Sequence, residues 1–207
     1  MTRTPSPGTR PTRMVWGVAL FTFAYVAGFT IWFLVIGNYE FIVYVLTMLG
    51  LIALVAASLR SAAYPPAMLW ALTVWGLAHM AGGGVPVGDS VLYSLRLVPL
   101  VETGNFFILK YDQVVHAFGF GVTTWLLWHL LVHHYPQTRG SATAAVYPVI
   151  GAMGLGALNE MIEFTAVLIV PETNVGGYYN TALDLVFNAA GAVIAMLVII
   201  GVGRRTG

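Results

Sequence analysis

The chain of 207 residues is 58% hydrophobic and only 8% charged, with a formal net charge of +1 and no cysteine. Soluble domains carry about 25% charged residues, so this sequence cannot cover a water-facing surface with charge, and much of its outside must face lipid. The small net charge gives no reason to expect nucleic acid as a partner. The lack of cysteine excludes disulfides, thiol nucleophiles and thiolate metal sites.

Six apolar segments are about long enough to cross a membrane, which takes about 20 residues in a helix. The third is the shortest, and the fifth is long enough to tilt or to contain a break near Pro148 or Gly151. The sequence therefore predicts an all-α, polytopic transmembrane bundle of about six helices that forms a single domain over residues 14–203. In chain order the segments are Met14–Ile36, Phe41–Leu59, Pro65–Ala81, Tyr111–Val132, Ala142–Val170 and Thr181–Val202.

Residues 1–13 precede the first segment and are rich in Pro, Thr and Arg, which predicts a disordered basic tail. The apolar run that follows is too long for the core of a signal peptide, and no small-residue cleavage site comes after it. We therefore interpret it as a retained first helix.

Basic residues are divided unequally between the two sets of connections. Arg96 and Lys110 fall between the third and fourth segments, whereas the others fall at the chain ends or in connections on the opposite side. The positive-inside rule then places both termini in the cytoplasm of a multi-pass protein of the plasma or inner membrane. The residues on the cytoplasmic side are Arg3, Arg10, Arg13, Arg60, Arg139, Arg204 and Arg205.

The longest connection, Gly82–Lys110, begins with a turn-rich stretch of glycines and a proline. Val91–Val101 within it is apolar but too short to span a membrane, and it contains Arg96. We expect an interfacial or re-entrant segment that covers the outer end of the bundle. Arg96 suits two roles equally, contact with a lipid phosphate or an ion pair with Glu102.

Small residues are concentrated in the fifth and sixth segments, among them Gly151, Gly154, Gly156 and Gly191. Because small side chains let helix backbones approach closely in lipid, these two helices are expected to pack tightly against each other.

Ionisable side chains inside a span cost about 2.5–3.5 kcal/mol each on insertion scales, so they usually face the bundle interior and serve function. At a rise of 1.5 Å per residue, those of the last three segments lie roughly 5–15 Å below the outer boundary. His79 lies about one turn from the outer end of the third segment. The sequence thus predicts one polar layer in the outer leaflet. Its members share helix faces as the pairs Asp112–His116, Glu160–Glu163 and Asp184–Asn188.

Carboxylates and imidazoles together are ligands for zinc or a similar divalent ion, and they also form general acid–base sites. We predict a metal-dependent enzyme that acts on a lipid or a lipid-linked envelope molecule. The alternatives are a binding or transport protein that uses the carboxylates for protons or a cation, and an accessory membrane protein with a structural polar core. The predicted metal ligands are His79, His116, Glu160 and Asp184, and the predicted catalytic residues are Asp112, Glu163 and Asn188.

Four short motifs resemble those of the YjdF-like family of small bacterial integral membrane proteins. They occupy residues 77–83, 111–120, 159–164 and 179–192, within a resemblance that covers about residues 70–195. Their order is distantly similar to that of VanZ-like proteins, which usually have Gln where this chain has Glu163. The resemblance implies a shared bundle and shared polar positions. VanZ-like proteins are associated with glycopeptide resistance, which implies at most a role at the cell envelope.

The proposed orientation can be tested directly, because any introduced cysteine is the only thiol of the chain. In intact cells, Glu102→Cys should react with a membrane-impermeant maleimide, whereas Arg139→Cys should react only after permeabilisation. The reverse labelling pattern would contradict cytoplasmic termini.

Overall fold

The computed structural model describes residues 12–104, 106–170 and 176–206. Its six long helices correspond one to one with the six predicted segments, which confirms the all-α, polytopic fold class. Residues 1–11 of the predicted tail lie outside the described residues. The helices are α1 (Arg13–Ile36), α2 (Tyr39–Ala62), α3 (Pro66–Gly84), α4 (Tyr111–His134), α5 (Ala142–Ile169) and α6 (Tyr178–Thr206).

Five of the helices are long and apolar enough to cross a membrane. The helix outside that set is α3, which has 19 residues and corresponds to the shortest predicted segment. Of the two alternatives for the fifth segment, a tilt or a break, the break is not seen, since α5 continues through Pro148.

Local sequence signals account for several helix ends. The side chain of Asn38 begins α2 by accepting a hydrogen bond from the amide of Phe41 at 3.2 Å. Ser141 begins α5 in the same way, through the amide of Ala144 at 3.2 Å. Gly37 ends α1 with a φ of 70°, a left-handed conformation that favours glycine.

The long connection between α3 and α4 contains two small antiparallel hairpins and no long helix. In the first, β1 (Pro86–Val87) pairs with β2 (Ser90–Val91), and a 3₁₀ turn at Leu92–Ser94 follows. In the second, β3 (Arg96–Thr103) pairs with β4 (Phe106–Lys110).

All eight residues of β3 are exposed. A re-entrant segment would have its backbone buried among helices, so the structure does not support that alternative for this part of the connection. Arg96 forms an ion pair with Glu102 at 2.7 Å, which is one of the two roles that the sequence allowed.

A cluster of large apolar side chains joins the first three helices to α5. Its fully buried members include Phe33 of α1, Phe41 of α2 and Met80 of α3, and Ala166 of α5 completes it. Aromatic rings in this cluster lie close together, with the centroids of Phe33 and Phe41 4.9 Å apart. This cluster holds α2 and α3 beside the C-terminal half of α5.

Glycines allow α4, α5 and α6 to approach each other closely. A Cβ added at Gly191 of α6 would lie 1.9 Å from the carbonyl oxygen of Ala117 in α4, so the two backbones are in direct contact there. Gly156 of α5 faces the side chain of Asn188, where an added Cβ would lie 2.7 Å from its amide nitrogen. The small residues therefore join α6 to α4 as well as to α5.

Replacing Gly191 with alanine should destabilise the bundle by about 1–3 kcal/mol, the usual cost of an extra methyl in a packed interior. The matched control is Gly201→Ala on the same helix, where an added Cβ has nothing within 4 Å. Thermal unfolding in detergent should show a lower midpoint for Gly191→Ala alone. Equal midpoints for the two variants would contradict the close contact of α4 and α6.

Candidate functional site

The predicted polar residues of α4, α5 and α6 meet at one end of the bundle, around the side chain of His116. Asp112 lies one turn before His116 on α4, and its Oδ1 is 3.4 Å from the Nε2 of His116. On the other side of the ring, Oε1 of Glu160 is 3.8 Å from Nδ1, which is too long for a hydrogen bond. The imidazole therefore lies between carboxylates of two helices.

Asn188 of α6 fixes the orientation of the imidazole. Its Oδ1 is 3.0 Å from Nδ1 of His116. An amide oxygen can only accept a hydrogen bond, so Nδ1 carries the proton in this arrangement. In the neutral ring the lone pair then lies on Nε2, on the side of Asp112, where it is free to bind a cation.

Asn180 connects the acids of α4 and α6. Its Nδ2 donates to Oδ2 of Asp184 at 2.6 Å and to Oδ2 of Asp112 at 3.3 Å. On α5, Nδ2 of Asn159 donates to Oε1 of Glu163 at 2.8 Å. Three of the four carboxylates thus have an amide partner.

Several buried polar atoms have no hydrogen-bond partner among the described residues. They are both carboxylate oxygens of Glu160, Oδ1 of Asp184 and Nδ2 of Asn188. These side chains are nearly inaccessible, with 8%, 1% and 1% of their surface exposed. Because an unpaired buried polar group costs about 1–3 kcal/mol, and more when it is charged, this arrangement indicates that the site binds something further.

The charges of the cluster are also unbalanced. Within the described parts of the chain, the ion pairs of these four carboxylates involve only His116. One imidazolium cannot neutralise four carboxylates in an apolar interior, so the site must take up protons or a cation.

Two sets of side chains offer ligand atoms that all lie within 4.8 Å of one another. One contains Asp112, His116 and Asp184, and the other contains His116, Glu160 and Glu163. A buried cluster that could hold a metal ion is therefore present. Among the described residues, the predicted combination of His116, Glu160 and Asp184 is divided between these two sets.

His79 is absent from both sets, although the sequence analysis placed it with the metal ligands. Its Nδ1 is hydrogen-bonded to the hydroxyl of Tyr93, which reaches it from the 3₁₀ turn. Gly82 makes room for this turn, since an added Cβ there would lie 2.5 Å from the Tyr93 ring. Burial raises the pKa of Tyr93 well above its ordinary value, so the hydroxyl stays neutral.

A cavity of about 120 Å³ adjoins the cluster, and His79 is among the residues that line it. Asp112 and Glu163 face it from the cluster side, and Lys110 provides a basic group at its wall. The remaining lining residues come from α2, α3, the 3₁₀ turn and the start of α6. They are Glu40, Phe41, Tyr44, His79, Tyr93, Ser94, Gly176 and Asn180.

A family model described as "Predicted membrane protein (DUF2238)" matches residues 17–205. The chain belongs to this family. No curated protein and no solved structure matches the chain significantly. The family description agrees with the lipid-facing composition and the apolar helices, whereas the resemblance to YjdF-like and VanZ-like proteins stays a prediction.

The histidines near the opposite end of α4 do not belong to the site. The Nε2 atoms of His129 and His133 lie 2.8 and 3.1 Å from the carbonyl oxygens of Ala62 and Ser61, at the end of α2. They thus supply partners for helix-end carbonyls, as expected for histidines at such a position.

Sequence reasoning missed several residues of the site. Asn180 could have been found, because it precedes Asp184 by four residues and so lies on the same helix face. Glu40 and Tyr44 have the same spacing on α2. Tyr93 carried no such signal, since its position depends on the path of the 3₁₀ turn.

Replacing Tyr93 with phenylalanine should remove its bond to His79 and keep the ring packing against Gly82. We expect a loss of about 1 kcal/mol, as for a typical hydrogen bond, and faster amide hydrogen exchange at residues 90–95. Tyr178→Phe is the control, because that side chain is 81% exposed. Unchanged exchange in Tyr93→Phe would show that the bond does not hold the turn.

Proposed function

We propose that the protein is a membrane-embedded, metal-dependent enzyme that acts on a lipid or a lipid-linked molecule of the cell envelope. The observation that carries the proposal is the buried carboxylate of Glu160, which has no hydrogen-bond partner among the described residues and lies beside His116. A divalent cation would supply the missing partner and the missing positive charge.

The chemistry of the donor set suits such an ion. Imidazole nitrogen and carboxylate oxygen are ligands for zinc, and carboxylates also suit Mg²⁺ and Mn²⁺. We assign His116, Glu160 and Asp184 to metal binding, and Asn188 to the orientation of His116 through the bond to Nδ1. A partner of this kind commonly fixes the ring of a metal-bound histidine.

Asp112 and Glu163 are the proposed acid–base groups, because both face the cavity as well as the cluster. A bound metal would activate water or polarise a substrate oxygen next to them. Glu163 could then accept a proton from the attacking water, and Asp112 is the second candidate for that proton transfer. Asn188, predicted from sequence with the catalytic residues, has here the role of orienting His116.

The size and position of the cavity support a substrate with a small polar head. A volume of about 120 Å³ is below the 300–1,000 Å³ that is typical of pockets for whole drug-sized ligands. A lipid could place its head group there and leave its chains in the membrane. We propose the outer leaflet of the plasma or inner membrane, following the distribution of basic residues.

A transport function is the second candidate, since the same carboxylates could carry protons or a cation. The packing next to the site disfavours it. Gly191 is in contact with the backbone of Ala117, and an added Cβ at Gly121 would lie 3.2 Å from the carbonyl oxygen of Gly191. Further along α4, Thr123 and Thr124 bond only to their own helix. A polar path from the site toward the other membrane face is not formed by these residues.

An accessory protein with a purely structural polar core is the third candidate. In such a core the buried polar groups should satisfy one another. The unpartnered oxygens of Glu160 and Asp184 disfavour it.

The enzyme proposal predicts that His116→Ala slows turnover strongly. Purified, metal-loaded protein is incubated with a total lipid extract of the source organism, and the lipids are followed by mass spectrometry. The wild type should deplete one lipid class, and His116→Ala should be slower by at least about 10–100-fold, because even the partners of metal ligands have effects of that size.

The matched control is His134→Ala, on the same helix and bonded only to the carbonyl of Leu130. It should deplete the same lipid class at the wild-type rate. An unchanged lipid profile from metal-loaded wild-type protein would contradict the enzyme proposal and favour the cation-binding alternative.

A further inference from the structure

The ligand atoms at the site are divided into two groups that have only His116 in common. One group, which we call the aspartate set, contains Asp112, Asp184 and His116. The other, the glutamate set, contains Glu160, Glu163 and His116. In the described parts of the chain, the ligand atoms of all five side chains do not lie within 4.8 Å of one another. A single ion bound at either set would leave the other set without an ion.

The two ring nitrogens of His116 lie toward different sets. Nε2 lies 3.4 Å from Asp112, in the aspartate set. Nδ1 lies 3.8 Å from Glu160, in the glutamate set, and it is bonded to Asn188 at 3.0 Å. The nitrogen lone pair of the neutral ring is therefore on the side of the aspartate set.

Each set also contains its own buried carboxylate oxygen that has no hydrogen-bond partner in the described parts of the chain. In the aspartate set it is Oδ1 of Asp184, whose side chain is 1% exposed. In the glutamate set both oxygens of Glu160 are unpartnered, and that residue is 8% exposed. Because the amides of Asn180 and Asn159 bond to other oxygens of the cluster, they do not satisfy these atoms.

The charge of the cluster is also consistent with two ions. If all four carboxylates are ionised they carry four negative charges, and two divalent cations would balance that number. One divalent ion together with a protonated His116 would leave the cluster negative.

We propose that the site holds two divalent cations, one at the aspartate set and one at the glutamate set. This inference rests on the proposed metal-dependent function and deepens it. It makes Asp112 and Glu163 metal ligands, so the acid–base roles given to them above apply to the arrangement with one ion. The ion of the aspartate set has nitrogen and oxygen ligands, which suits zinc or Mn²⁺. The ion of the glutamate set has the carboxylates of Glu160 and Glu163 as ligands, because the proton on Nδ1 of His116 keeps that nitrogen from binding an ion. Carboxylate ligands suit Mn²⁺ or Mg²⁺. Paired ions of this kind stabilise both the attacking and the leaving oxygen of a displacement reaction.

The experiment is a metal count on purified full-length protein in detergent. The metal-free protein is dialysed against Mn²⁺, excess ion is removed, and the Mn²⁺ content per chain is measured by elemental mass spectrometry. The wild type should bind about two ions per chain. Asp184→Asn and Glu160→Gln should each retain about one, and the double variant none.

Two measurements keep the result interpretable. Glu102→Gln is the matched control, because this acid is exposed and pairs with Arg96 on β3, and it should retain about two ions. Size-exclusion profiles and thermal unfolding show which variants fold. Electron paramagnetic resonance of the Mn²⁺-loaded wild type needs no variant, and it should show a spin-coupled pair rather than the six-line signal of isolated ions.

The outcomes separate the two proposals. About one ion in the wild type, lost in either variant and uncoupled by resonance, would overturn the two-ion inference and leave the metal-dependent function standing. No ion in a folded wild type would overturn both. Loss of both ions from each single variant would overturn the assignment of one ion to each set.

Discussion

The contact between α4 and α6 at Gly191 is the constraint on which the site depends. Lipid chains are as apolar as leucine, so helices in a membrane associate mainly through close packing and polar contacts between them. The missing side chain at Gly191 lets the two backbones touch at Ala117. That approach is what brings Asn188 within 3.0 Å of His116. A wider separation of the two helices would move the polar residues of α4 out of contact with those of α6.

The cluster itself works against the stability of the bundle. Four carboxylates surround one imidazole, and amides satisfy only part of their oxygens. Nonpolar residues of similar size would pack without these charges, so the arrangement is costly to fold. Sites that break the rules of good packing in this manner are commonly functional, because binding of the missing partner recovers the loss. The unsatisfied carboxylate of Glu160 marks the place where that partner is expected.

The connection between α3 and α4 gives the cluster its surroundings. Gln113 ties β4 to the start of α4, because its side chain donates to the carbonyl of Phe107 at 3.1 Å and accepts from the amide of Lys110 at 3.0 Å. The 3₁₀ turn places Tyr93 over the end of α3, where it takes His79 as its partner. As a result, carboxylates and a tyrosine–histidine pair line the same cavity. Its chemistry therefore combines elements that are distant in the sequence.

Composition and helical spacing by themselves determined the six helices and the residues that share a face, because rise and rotation per residue are fixed in a helix. Asp112 and His116 were placed together on this basis, and they do lie 3.4 Å apart. The packing of helices against each other decided the rest. Helix packing divides the predicted ligands into two sets, and it places His79 in a hydrogen bond with Tyr93. The sequence could not predict either result, because contacts between helices follow no local spacing rule. The hairpins also required the tertiary structure, because a short apolar run fits a strand as well as a helix.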